Sequence, residues 1–357
     1  NINGYTPQNF SMQYEGAVPA SEALARSLNI PAVTMLQRYG VPKFHNFLQQ
    51  IGFKTISRPS SHYGLSLILG GAEATLWDVT NAYAQMGRSL VTGHSDSETP
   101  VSSKEAEARM IVEEDTKNRA VQHKSIWDKG AVWQTFNALK EVNRPEEIDW
   151  KAIPSMQTIA WKTGTSYGFR DAWAVGVNPE YVIGVWVGNA DGEGRPGLIG
   201  VRAAAPILFE VASLVRTDAR FYMPKEELSA VAVCRKSGYR ASSICPETDT
   251  IYVARSGEKT EVCPYHRLVN LDRTGKFRVD SECESVSRMR IEPWFVLSPV
   301  QEWYYARTHS DYKKLPPYRA DCQRGQDDVM EMIYPQWGLR VFIPKDLGGV
   351  VRGVVFE

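Results

Sequence analysis

Lys162-Thr163-Gly164-Thr165 gathers an ammonium, two hydroxyls and a position without a side chain at the end of the apolar segment Thr158-Ile159-Ala160-Trp161. Along an extended strand side chains alternate faces, so Lys162 and Gly164 point one way and Thr163 and Thr165 the other. A glycine there leaves a track beside the backbone, where a peptide ending in a carboxylate would lie as an added strand. Lys162 would supply positive potential, and the hydroxyls of Thr163 and Thr165 would donate to the carboxylate. Ser27-Leu28-Asn29, the one Ser-x-Asn in the chain, adds a hydroxyl able to relay a proton and an amide able to hold a substrate. Each group also has a plain reading: a solvated lysine at a strand end, and two polar residues capping helices. Chemistry requires that a fold bring the two together.

The elements that must do so follow from local signals. Pro19 and Ser21 with Glu22 open a helix that Ala23, Leu24 and Ala25 extend, and Pro31 opens the next, which places Ser27 and Asn29 at a helix junction. Gly40 ends that second helix, and Phe44, Phe47, Leu48 and Ile51 mark the apolar face of a third, stopped by Gly52. Thr75 with Asp78 starts another, whose Leu76, Val79, Tyr83 and Met86 face a core. Residues 92–104 read as an exposed loop, and residues 106–112 and 132–142 as helices. The period then changes. Residues 172–177 and 181–187 form a hairpin across Asn178-Pro179-Glu180, with Trp173, Val175 and Val177 on one face. Residues 202–215 read as one long helix packed on that sheet, and helices followed by antiparallel strands and a covering helix define an α+β class. Arg170 and Asp171 would order the loop that carries Tyr167 and Phe169.

Ser-x-Asn followed by Lys-Thr-Gly-Thr resembles the second and third motifs of the penicillin-recognising serine acyltransferases, whose first motif is Ser-x-x-Lys. The flanking words narrow the likeness. Tyr5-Thr6-Pro7-Gln8-Asn9-Phe10, the run from Ser21 to Val33, Leu67-Ile68-Leu69-Gly70-Gly71-Ala72 and the run from Trp161 to Gly176 are similar to class A penicillin-binding proteins of the 1C type, densely over residues 1–217 and loosely beyond. The resemblance implies the penicillin-binding transpeptidase and β-lactamase-like fold, an antiparallel sheet with helices, incomplete at its N-terminus. It implies part of a peptidoglycan D,D-transpeptidase that cross-links cell walls, with stem peptides and β-lactam antibiotics as ligands and no cofactor. Ser27 would shuttle protons, Lys162 would bond Ser27, and Asn29 would orient the acyl side chain. Thr163, Gly164, Thr165, Ser166 and Tyr167 would line the substrate, the Thr165 N–H completing an oxyanion hole.

In that family the nucleophilic serine precedes the Tyr5 to Phe10 stretch, so it is expected upstream of this sequence, with a glycosyltransferase domain and a membrane anchor on the periplasmic side of the bacterial inner membrane. The two Ser-x-x-Lys matches present, Ser256-Gly257-Glu258-Lys259 and Ser310-Asp311-Tyr312-Lys313, both follow Lys162 and are rejected as chance. This fragment is then expected to be inactive alone. The alternative is a non-catalytic module of the cell envelope that binds stem peptides or a protein partner. A class A β-lactamase is disfavoured by the long extension after the motifs.

Composition sets outer limits. Forty-one basic and forty-one acidic residues cancel, which argues against nucleic acid and anionic membrane surfaces as partners. No apolar run approaches the length of a bilayer span. Residues 217–229, charged and broken by Pro224, read as a linker, giving a transpeptidase part at 1–217, a cysteine-containing segment at 218–289 and an aromatic-rich, partly β module at 290–357. Strands at 341–343 and 350–356 would begin a β-sandwich-like module. Cys234, Cys245, Cys263, Cys283 and Cys322 all lie after residue 230. One or two disulfides are the simplest reading, with at least one thiol left over. A zinc site from Cys234, Cys245, Cys263 and His266 is the alternative, but its spacing fits no common zinc pattern, so no metal is expected.

Overall fold

The computed structural model describes residues 7–12, 14, 16–91, 126–142, 159–215, 217 and 219–322. The loop expected at 92–104, the helix at 106–112 and the strands after 340 lie outside them. The chain forms two compact units, one of residues 1–265 and 297–312 and one of residues 266–296 and 313–357.

The first unit is α+β, as the sequence implied. Its helices α1 (Ala20–Ala25), α2 (Asn29–Tyr39), α3 (Val41–Gln50), α4 (Ser60–Tyr63), α5 (Leu76–Val91) and α6 (Lys129–Lys140) precede three antiparallel strands, β1 (Ala160–Thr165), β2 (Asp171–Val177) and β3 (Val182–Gly188). The strands are ordered β1-β2-β3, so among the described residues β1 is an edge. Helices α7 (Gly200–Ala203) and α8 (Ala205–Leu214) follow.

Strand alternation sends each face to a different layer. Trp161 points at α8, where its ring meets Phe209 edge-on at 4.9 Å, and both are fully buried. Burying two such rings contributes roughly 3–6 kcal/mol, before the entropy of ordering them is set against it. Gly176, opposite Trp161, lets Leu208 approach: a Cβ there would sit 3.1 Å from Leu208 Cδ2. Lys162, Val175 and Val177 take the other face, toward α5 and α6, and the side chain of Val177 would lie 3.2 Å from a Cβ at Gly87 of α5.

Local chemistry explains most boundaries. Asn178 Oδ1 accepts the N–H groups of Glu180 (2.9 Å) and Tyr181 (2.8 Å), an Asx turn that closes the expected hairpin. Thr75 Oγ1 accepts the N–H of Asp78 at 3.0 Å at the start of α5, and Asp128 caps α6 through Ala131 N at 3.0 Å, three residues before the expected start. Tyr83 and Met86 of α5 pack on the core, whereas Leu76 is 37% exposed. Pro31 is the third residue of α2, not its first, a position whose N–H has no intrahelical partner in any case.

Two expectations are corrected. The single helix expected at 202–215 is two, because Pro206 has no N–H to give the carbonyl of Arg202 and its ring crowds that carbonyl, so the helix restarts at Ala205. The stretch read as a linker is anchored: Phe221 is buried with its ring 5.1 Å from Phe136 of α6. Beyond it, β4 (Leu228–Cys234) and β5 (Thr248–Ala254) pair antiparallel, and the Gln134 amide on α6 bonds both Tyr252 O (3.0 Å) and Ala254 N (3.2 Å) of β5. The second unit holds the antiparallel pair β6 (His266–Leu271) and β7 (Arg290–Phe295) and the disulfide Cys283–Cys322.

At Gly200 the N-terminus of α7 meets the sheet with no room to spare. An added Cβ would sit 2.5 Å from Gly164 O and 2.6 Å from Trp173 O, both backbone atoms. Gly200→Ala is therefore expected to cost about 1–3 kcal/mol, the usual range for overpacking, measured as a lowered urea midpoint. An unchanged midpoint would show that α7 does not pack this closely.

Candidate active site

Ser27 occupies the position after the C-cap of α1 with φ +56°, the left-handed region. Its N–H bonds Leu24 O at 3.1 Å and the N–H of Leu28 bonds Ala23 O at 2.9 Å, the paired bonds of a Schellman motif. That position favours glycine. A side chain there costs roughly 1–2 kcal/mol, yet the strained turn is what swings the hydroxyl away from the helix and presents it at the surface. Two residues on, Asn29 is the first residue of α2. Its amide donates to Gln8 O at 2.9 Å, and Asn9 Oδ1 accepts the N–H of Ile30 at 3.2 Å. The segment containing Gln8 and Asn9 is thus tied to the junction by its polar groups.

Lys162 reaches this junction from β1. Its ammonium donates to Ser27 Oγ across 135 positions of sequence, and to Thr163 O at 2.7 Å. Burial against the helices lowers the lysine from its ordinary 10.5 to about 8. The neutral amine is therefore within reach near neutral pH, and the Ser27 hydroxyl is its neighbour.

The edge of β1 can be assigned by hydrogen-bond alternation. Ser166 N bonds Asp171 O at 3.0 Å across the ladder. In an antiparallel pair consecutive residues alternate, so Thr165 and Thr163 turn their main-chain N–H and C=O groups away from β2, toward the open side. The Lys162 bond to Thr163 O lies on that side. A ladder of unused main-chain groups beside an ammonium is the arrangement an extended peptide would pair with.

The threonine side chains face the other way, as the alternation requires. Thr165 Oγ1 accepts the N–H of Gly200 at 3.0 Å, and Thr163 Cβ would lie 3.1 Å from a Cβ at Gly200. Gly164 stands opposite Trp173, and a Cβ there would meet Trp173 Cβ at 3.4 Å. Past the strand, Ser166 Oγ accepts the N–H of Asp171 at 2.8 Å, fixing the turn that holds Gly168 and Phe169 at positive φ. Asp171 also accepts from Trp186 Nε1 at 2.9 Å, and Tyr167 stands fully exposed at the tip.

Of the residues singled out from the sequence, Ser27 and Lys162 meet directly, and Asn29, two residues beyond Ser27, bonds Gln8 O. Thr163, Gly164 and Thr165 continue the same edge, while Ser166 and Tyr167 belong to its terminal turn. Sequence reasoning missed Gly200, whose amide engages Thr165, and the anchoring contact of Asn9. No local signal marks Gly200, because its need arises only from the approach of α7 to β1.

The family model described as penicillin binding protein transpeptidase domain matches residues 1–208. The chain is 30% identical to penicillin-binding protein 1C of Escherichia coli (strain K12), over 99% of this chain and 43% of that protein. It is 29% identical to penicillin-binding protein 1A of Neisseria cinerea, over 57% of this chain and 25% of that protein. The chain thus spans less than half the length of these relatives. The crystal structure of penicillin-binding protein 1A from Haemophilus influenzae is similar with a TM-score of 0.54 at 20% identity, covering 74% of this chain and 44% of that one, which shows the shared fold.

Two outcomes are expected from this geometry. Burial disfavours the Lys162 ammonium in the folded state, so between about pH 8 and 10.5 the folded chain binds fewer protons than the unfolded one, and stability rises with pH. Chemical denaturation of wild type and Lys162→Met should therefore show the difference shifting toward wild type across that window; a pH-independent difference would mean a solvated lysine. Ser27→Gly removes the side chain from a left-handed position and is expected to raise stability by about 1 kcal/mol. A clear loss in the same assay would show that the bond to Lys162 outweighs the backbone strain.

Proposed function

The chain belongs to the penicillin-binding protein transpeptidase family, and on that premise we propose that residues 1–217 are part of a peptidoglycan D,D-transpeptidase that cross-links stem peptides on the periplasmic side of the bacterial inner membrane. The observation that carries this reading is the lysine ammonium shared between Ser27 Oγ and Thr163 O at the open edge of β1.

In this reading a serine encoded upstream attacks the carbonyl between two terminal D-alanines. The carbonyl carbon gains the serine oxygen, the D-alanine nitrogen leaves with a proton, and an amine from a second stem peptide later displaces the serine. Ser27 is the proton carrier: its hydroxyl can pass a proton to the leaving amine and recover one from the attacking group. Lys162, lowered by burial to about 8, keeps the hydroxyl oriented and places positive potential where negative charge develops. The stem peptide pairs with the outward main-chain groups of β1, and the Thr165 N–H contributes to the oxyanion hole. Thr163 and Thr165 act on the substrate carboxylate. The oxygen of Thr165 is already an acceptor for Gly200 N–H, so its hydroxyl proton is the part left to donate. Asn29, held by Gln8 O, orients the acyl side chain. β-Lactams enter as mimics of the scissile dipeptide.

The test is acylation by a fluorescent penicillin of the full-length protein that carries this chain. Labelling is expected, with Ser27→Ala and Lys162→Ala each lowering the acylation rate by about 100-fold or more, the usual loss for a proton-transfer group. Full-rate labelling of both variants would reject these roles. No labelling of the wild type would reject the transpeptidase reading.

A further inference from the structure

Three of the five cysteines converge in the first unit, outside the site described above. Cys234 ends β4, Cys245 lies in the loop before β5, and Cys263 follows Val262, which bridges to Arg240. Their sulfurs all lie within 4.8 Å of one another. They are thiols, the disulfide being Cys283–Cys322. Cys234 and Cys263 are buried and Cys245 is half-buried.

The backbone around each sulfur is fixed by bonds that the cysteines themselves make. Cys234 N bonds Tyr239 O and Gly238 N bonds Cys234 O, both at 2.8 Å, closing a tight turn in which Gly238 has φ +70°. That turn directs the N–H groups of Lys236 and Ser237 at the Cys234 sulfur. Cys245 N bonds Ser242 O at 3.1 Å, and Ser242 sets its own N–H 3.3 Å and its hydroxyl 3.2 Å from the Cys245 sulfur. Cys263 N bonds Arg240 O at 2.8 Å, and the Ser237 hydroxyl donates to the Cys263 sulfur at 3.2 Å. Every sulfur thus has a main-chain or hydroxyl donor turned toward it. A neutral thiol is a weak acceptor that gains little from such donors, whereas a thiolate bound to a cation gains much.

Three sulfurs at mutual contact can form only one disulfide, which strands the third. Around a tetrahedral zinc ion with Zn–S bonds of about 2.3 Å, sulfurs stand about 3.8 Å apart, a separation that the present cluster already permits. The segment also needs a fastening. The side chains of β5 from Thr248 to Tyr252 are exposed, so the hairpin and its loops bury little apolar surface of their own.

We infer that Cys234, Cys245 and Cys263 bind one structural Zn²⁺ as thiolates. Loss of the three thiol protons on binding makes the site a three-thiolate centre that fastens the loops after β4. This reading was the sequence's alternative to one or two disulfides, and its ligands, distant in sequence, meet only once β4 and β5 have paired.

The experiment uses the full chain, secreted into an oxidising compartment and purified without chelator. Elemental analysis is expected to find one zinc per chain. Thiol titration in denaturant with chelator should find three thiols, and replacement by Co²⁺ should give the visible bands of a tetrahedral thiolate complex. Cys245→Ser should lose the metal. Cys245→His, which restores a ligand, should retain it and so separates ligation from misfolding. A metal-free protein, or a disulfide joining two of these three cysteines, overturns the site.

Discussion

A partly buried ammonium must find oxygen acceptors, and Lys162 finds two from different parts of the fold: the hydroxyl of Ser27 at the α1–α2 junction and the carbonyl of Thr163 on its own strand. Much of the first unit can be read as the means of keeping that contact. Burial of the lysine beside the sheet lowers it by desolvation. The paired bonds at the end of α1 fix where Ser27 stands, and the bonds from Asn29 and Ile30 to Gln8 and Asn9 fix the start of α2. A shift of one residue in β1 would exchange Lys162 for a threonine on the helical face, because strand register and side-chain face are the same variable.

The register is secured from the opposite face. Trp161, fully buried against Phe209, cannot move to the other side of β1 without opening that ring contact. Glycines at 176 and 200 let α8 and α7 come close enough to hold it, each at a point where a methyl group would strike Leu208 or a backbone carbonyl. The apolar layer on the α8 side therefore determines the chemistry presented on the α5–α6 side. Thr165 joins the two: its hydroxyl takes the first amide of α7 while its main chain faces the open edge.

What was legible in the sequence depended on range. The hairpin at Asn178-Pro179-Glu180 was readable because an asparagine accepting the next two amides is chemistry within four residues. The ends of α2 and α3 were readable because Gly40 and Gly52 have positive φ and mark the stop themselves. Ser27 was recognised through its motif but not through its backbone, since a serine in a left-handed turn gives no signal that a glycine would give. The break at Ala204 was hidden by continuous apolar character, although Pro206 was in view. The anchoring of Phe221, the need for Gly200 and the meeting of Cys234, Cys245 and Cys263 were not legible, because each depends on two elements having already packed.

Two costly features of the first unit touch each other. A serine held at φ +56° and an ammonium lowered to about 8 by burial are each less favourable than a glycine and an apolar side chain at the same positions. A left-handed serine and a desolvated lysine, 135 positions apart, share one hydrogen bond beside the β1 edge of the sheet. The proposed role, a proton-carrying hydroxyl beside a poised amine, would account for the strain on both sides of this contact.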